Sequence, residues 1–168
     1  MSMPSGVTTT KPGTRLRFGQ SATVGYAPNP KHSTALRLRV VSVKRASIAD
    51  LAAYQLSSQT AASTPYYVQA EVTNRGTGDV GGSAIPLWAV NTSNTLIQAS
   101  SFTNTFRACP SQALPRRFAA NAKVKACLVY LVPAHGRLTA MSFRPLQAVP
   151  GITWTGAITP AHAHKGKK

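Results

Sequence analysis

The sequence predicts an all-β protein, a sandwich or barrel of about seven short antiparallel strands. Three observations carry this. The stretch YYVQAEVTN, residues 66–74, alternates: Tyr66, Val68, Ala70 and Val72 fall on one side, and Tyr67, Gln69, Glu71 and Thr73 on the other. A period of two gives one buried face and one wet face, the pattern of an antiparallel sheet. Directly after it, Asn74, Gly76, Gly78, Asp79, Gly81 and Gly82 supply the left-handed and turn conformations that stop a strand. Further turn clusters, PNPKHS, NTSN and PAHG, separate other short apolar runs.

Taken in order, strands are expected at 19–26, 35–45, 65–74, 84–90, 95–100, 122–132 and 137–145. In ALRLRVVSVKR, Leu36, Leu38 and Val40 point one way and Arg37 and Arg39 the other, but Val41 and Val43 continue the opposite parity. The apolar face therefore changes near Val40 and Val41, which predicts a bulge or a switch between sheets. Only SIADLAAYQLSS, residues 47–58, has helical composition, with Ile48, Leu51 and Ala52 able to share a face. Residues 1–14, rich in Ser, Thr, Pro and Gly, read as a flexible lead, 15–156 as the body, and 157–168 as a disordered basic tail.

The 168 residues are 43% hydrophobic, enough for a real core. Charge is the anomaly. Nineteen Lys and Arg face three acids, Asp50, Glu71 and Asp79, for a net charge of +16. Such a chain binds polyanions. The same scarcity of acids leaves little for a catalytic carboxylate pair or a carboxylate cage for Ca²⁺ or Mg²⁺. No phosphate-binding loop, dinucleotide fingerprint or Gly-x-Ser-x-Gly occurs, so no catalytic residue, cofactor or metal is expected. His162 and His164 offer only two ligands beside Lys165, too few for a metal site. Two groups of cations are candidates for anion binding: Arg15, Arg17, Arg37, Arg39, Lys44 and Arg45, and Arg116, Arg117, Lys123 and Lys125 around Phe118. They form a surface if neighbouring strands align their wet faces; otherwise they are scattered, solvated charge. Tyr66, Tyr67, Trp88 and Trp154 are expected in or beside the core rather than as stacking platforms.

Cys109 and Cys127 lack any zinc spacing. A single Cys109–Cys127 disulfide is the expected reading for a protein outside the cytoplasm, with two unrelated buried thiols as the alternative. Cys127 shares parity with Lys123 and Lys125 but also with Val129 and Leu131, so it sits where its strand passes from wet to dry. No apolar run is long enough to span a membrane. The opening MSMPSGVTTTKPGTRLRFG has no apolar signal core, so the chain is either cytoplasmic or a mature form whose export signal lies upstream.

PYYVQAEVTNRGTGDVGG resembles the central strand and Gly-rich turn of the telokin-like, immunoglobulin-type extracytoplasmic domains of Gram-positive lipoproteins and secreted antigens. The run FRACPSQALPRRFAANAKVKACLVYLVP and the close LTAMSFRP…ITWTG are similar to the same family's Cys-Pro, Cys-Leu-Val-Tyr-Leu-Val-Pro and terminal patterns. The resemblance spans roughly residues 18–156. It implies an immunoglobulin-like β-sandwich, export, often a lipid anchor, and no catalytic residues. The chain departs from the family in lacking a lipobox cysteine and in being far more basic. The expected function is thus a non-enzymatic extracytoplasmic module that presents loops and a basic surface to a protein or an anionic cell-envelope polymer, with non-specific nucleic-acid binding. The alternatives are a basic nucleic-acid-associated β protein inside the cell, or a structural subunit of a virion or surface layer.

Overall fold

The structure is a computed structural model that describes residues 7–51, 54, 56–102, 106–144 and 151–160. Among the described residues, nine strands form two sheets: β1 (Arg15–Arg17), β2 (Ser21–Asn29), β3 (His32–Arg45), β4 (Thr64–Asn74), β5 (Trp88–Asn91), β6 (Leu96–Ile97), β7 (Lys123–Val132), β8 (Leu138–Phe143) and β9 (Ile152–Thr155). One sheet runs β2-β3-β4-β7 and the other β1-β9-β8-β5-β6. All pairs are antiparallel except β1 with β9. The result is an immunoglobulin-like β-sandwich.

Alternation explains the core. Leu36, Leu38 and Val40 of β3, Tyr66, Val68, Ala70 and Val72 of β4, and Leu128, Tyr130 and Val132 of β7 all face inward. Met141 and Phe143 of β8 and Ile152 and Trp154 of β9 meet them from the other sheet. Two of the buried rings have their polar tips satisfied: the Tyr130 hydroxyl donates to the Leu87 carbonyl at 2.8 Å and Trp154 Nε1 to the Gln20 carbonyl at 2.9 Å. Burial pushes the Tyr130 hydroxyl far above its usual titration range. The parity change in β3 is a bulge: Val40 pairs with Ala70 and Ser42 with Gln69, leaving Val41 unopposed. The extra residue turns Val43 inward, where it is buried.

β4 ends at a fully buried Asn74. Its Oδ1 accepts from Thr34 Oγ1 (2.6 Å) and the Gly76 N–H (3.0 Å), and its Nδ2 donates to the carbonyls of Gly78 (2.7 Å) and Phe118 (2.9 Å). Glycine is required beside it. A Cβ on Gly76 would meet Thr34 Oγ1 and the Ala35 nitrogen, and one on Gly78 would strike the Ser33 carbonyl. The Gly-rich stretch thus lets two backbones approach, beyond merely ending a strand. Asp79 then accepts from the Phe118 and Gly81 N–H groups, which hold its carboxyl below the usual carboxylate range, with help from Arg117 and His32 nearby.

Several expectations change. The strand expected at 84–90 begins only at Trp88. Pro86 has no N–H to give a ladder, and a tight Leu87 N–H to Ile85 carbonyl bond (2.8 Å) curls the segment instead. The 95–100 strand shrinks to Leu96–Ile97, and Ser100 crosses to donate to the Val129 carbonyl. Helical composition at 47–58 yields a single 3-10 turn, Ile48–Leu51, with a separate one-turn helix α1 at Ser58–Ala61 capped by Ser57. β1 and β9 were not anticipated as strands, so nine replace seven. The ordered body also reaches further than 15–156. Thr10 exchanges hydrogen bonds with Thr23, and Thr159 is bonded to Val43 and Arg45 of β3. Residues 161–168, with His162 and His164, lie outside the described residues.

The outer face of the β2-β3-β4-β7 sheet has two halves. Ser42, Gln69 and Cys127 form one cross-strand row. Beyond it, Tyr67 and Val129 pair with each other and are buried under Ala46, Leu51, Phe106 and Cys109, with Tyr54 and Phe102 packed alongside. This second apolar cluster covers the part of β4 where alternation alone gives a wet face, and so buries Tyr67 beside the core. Its hydroxyl donates to Asp50 Oδ2 at 2.8 Å, and burial first, then this bond, pushes it well above its usual range. Cys109 and Cys127 are bridged at the boundary, where β7 passes from wet to dry. The bridge joins residues 18 apart and holds the covering loop to β7. The chain-entropy model assigns a loop of that size about 3 kcal/mol, or roughly 6–12 °C in melting temperature for a protein of this length. A Cys109→Ser/Cys127→Ser double variant is therefore expected to melt lower by that amount. Intact mass after alkylation without reductant checks the bridge directly: two alkylated thiols in folded wild type would refute it.

Candidate anion-binding groove

On the other side of the boundary row, pairing across three strands builds a ladder of charge. Arg39, Glu71 and Lys125 form one row, and Arg37, Thr73 and Lys123 the next. These outward residues alternate with the inward core set, so the same period that buries Leu38 and Val72 exposes the cations. Arg75, just past β4, lies at the end of the ladder. Together they line a groove of about 690 Å³, with Gly19 and Ser21 at its β2 side.

Five cations share this groove with one carboxylate, Glu71. Arg39 is already engaged: its Nε donates to the Gly19 carbonyl at 2.8 Å, and its guanidinium pairs with Glu71 at 2.9 Å, both side chains about a third exposed (38% and 35%). That pair fixes the Arg39 fork and uses the only acid present. A half-exposed pair adds little stability. Arg37, Arg75, Lys123 and Lys125 are exposed and have no acidic partner among the described residues. Alternate positions on a strand lie about 6.6–6.8 Å apart. The groove therefore presents positive charge at a regular repeat along two strands.

The two groups expected from the sequence do not form. Arg37 and Arg39 join Lys123 and Lys125 instead, because β4 sits between β3 and β7 and brings the two regions side by side. Lys44 and Arg45 lie beyond the bulge at the far end of β3, where Lys44 bridges to Thr159. Arg116 and Arg117 sit in the loop before Phe118, with the Arg116 carbonyl against Gly81. Arg15 and Arg17 lie on β1, in the other sheet. Arg75 was missed; its place two residues after Thr73 on the wet parity was the signal for it. Tyr66, Tyr67 and Trp154 are buried and Trp88 half-buried, as expected of core aromatics. No aromatic ring lines the groove. Among the described residues no group of three or more metal-ligating side chains occurs, and no helix is long and apolar enough to cross a membrane.

No family model and no curated protein matches the chain. Among solved structures, the 1.5 Å crystal structure of MPT63, a secreted protein from Mycobacterium tuberculosis, is similar with a TM-score of 0.57 at 10% identity, covering 84% of this chain and 96% of that one. At that identity the likeness concerns the fold. It agrees with the sandwich architecture and spans nearly the whole of the smaller protein.

Proposed function

We propose that this protein is a non-catalytic extracytoplasmic module that binds an anionic polymer along the groove of β3, β4 and β7. The observation that carries the proposal is the charge ladder: Arg37, Arg39, Arg75, Lys123 and Lys125 converge on one surface that holds a single, already paired carboxylate. A polymer with one anionic group per repeat matches a ladder of regular charge better than a compact ligand does. The absence of rings from the lining favours reading of backbone charge over stacking of bases. A disulfide supports a location outside a reducing cytoplasm, and the secreted fold neighbour supports the same placement.

A DNA duplex serves as a polyanion probe of known charge spacing. Binding is expected to weaken steeply between ~50 and ~200 mM salt through counterion release, with little sequence preference. Each of Arg37→Gln, Lys123→Gln and Lys125→Gln is expected to lower the log–log salt slope by about 1. Lys44→Gln and Arg45→Gln, beyond the bulge, are the controls and should leave the slope nearly unchanged. Equal losses from groove and control variants would mean that diffuse charge, not the groove, does the binding.

A further inference from the structure

On the opposite face of the sandwich, the five-stranded sheet carries a smaller polar cavity of about 320 Å³. That is the lower end of the range for small-molecule sites, roughly 300–1,000 Å³. Register explains its lining. Arg15 pairs with Thr153, Thr153 with Ser142, and Ser142 with Trp88, so one row crosses β1, β9, β8 and β5. Thr155 and Thr139 lie in the neighbouring positions, and Arg144 follows Ser142 on the same parity. No carboxylate lines the cavity.

Two polar atoms here are unexplained. Ser142 is 1% exposed, yet its Oγ has no hydrogen-bond partner, and Arg144 Nε is likewise buried and unpartnered. Among the described residues these are the only two such atoms. They sit together: a Cβ built on Gly151 would lie 2.7 Å from Ser142 Oγ and 3.2 Å from Arg144 Nε. Buried donors without acceptors are rare because leaving them unpaired is costly. Two guanidinium groups, the hydroxyls of Ser142, Thr153 and Thr155 and no acid make a site rich in donors. Ser142 Oγ and Arg144 Nε have no acceptor within the protein, and an oxyanion supplies one.

We propose that this cavity binds phosphate, free or as a monoester, through Arg15, Arg144, Ser142, Thr153 and Thr155. A planar guanidinium matches two oxygens of a tetrahedral oxyanion at once, and the hydroxyls can donate to the remaining ones. The site shares no residue with the groove on the other sheet, so it stands or falls separately from the polymer-binding proposal.

Calorimetric titration of the full chain with inorganic phosphate, at constant chloride and ionic strength, tests it. Saturable one-to-one binding is expected, weakened about tenfold or more by Arg144→Gln and by Arg15→Gln, since each removes a charge-assisted bond. Ser142→Ala should weaken binding too, while its melting temperature without phosphate stays level or rises, because an unpaired buried hydroxyl is removed. Lys123→Gln, in the groove, should titrate as wild type. Glycerol 3-phosphate in place of phosphate separates the sources: equal or tighter binding assigns the site to esters, and loss of binding assigns it to the free ion. The proposal is overturned if wild type shows no saturable heat, if Arg144→Gln binds as wild type does, or if Lys123→Gln abolishes binding. A lower melting temperature for Ser142→Ala also overturns it, since the hydroxyl would then have a structural partner.

Discussion

Val72→Asp is expected to leave the protein unfolded at room temperature or close to it. Val72 is fully buried on β4, opposite Leu38 of β3 and Val124 of β7, and its side chain lies in the core between the sheets. A carboxylate there has no cationic partner, because every neighbouring cation projects from the other face. An uncompensated buried charge costs several kcal/mol against a total stability of roughly 5–15 kcal/mol. Thr73→Asp is the matched control. Thr73 is half-exposed between Arg37 and Lys123. A carboxylate there meets two cations, so its melting temperature should equal or slightly exceed that of wild type. The same substitution should weaken polyanion binding, because it places a second acid in the groove. Circular dichroism melts of the two variants decide the register. Val72→Asp melting like wild type while Thr73→Asp collapses would flip every face assignment on β4.

Asn74→Ala is expected to cost about 3–5 kcal/mol, near 10 °C in melting temperature. All four hydrogen-bonding positions of this buried amide are used, and its partners belong to three separate segments: Thr34 on β3, Gly76 and Gly78 in the turn, and Phe118 in the loop before β7. Removing it strands the Gly78 carbonyl and the Thr34 hydroxyl, and leaves the Phe118 carbonyl with the Val80 N–H alone. Asn74→Leu, which keeps the volume, should be no better, since the loss lies in the polar partners and not in a cavity. Denaturant melts of both variants against wild type measure this. A loss below about 1 kcal/mol for either would mean that the partners find water, and that the amide is not the clamp its geometry implies.

Much of the fold was written in the local pattern of the chain. The alternation in β3, β4 and β7 located those strands within a few residues, because side-chain parity is a local property of an extended backbone. The bulge was legible for the same reason: two adjacent valines, Val40 and Val41, cannot share a face without one extra residue. Cys127 could be placed at a wet-to-dry boundary because Lys125 and Val129 flank it on the same parity. The stop after Asn74 was legible as a turn, though its purpose was not. Only packing against Thr34, Ser33 and Phe118 shows why glycine stands at 76 and 78.

What the sequence determined by itself was therefore the all-β class, the longest strands with their faces, and an excess of positive charge that no local acid could neutralise. Which strands lie side by side was decided by tertiary structure. β1 and β9 pair across most of the chain's length, and strands so short have no periodicity of their own to announce them. Tyr67, Val129 and Leu131 are covered by a loop whose own residues, Phe102, Phe106 and Cys109, give no sign of where they will land. The cations follow the same logic. Arg37 and Lys123 become neighbours only because β4 is inserted between their strands, and Arg15 meets Arg144 only because β9 and β8 pair beside β1. Charge is carried by single residues, but a site is made by register between segments distant in sequence, and that register is set by burying apolar faces against one another.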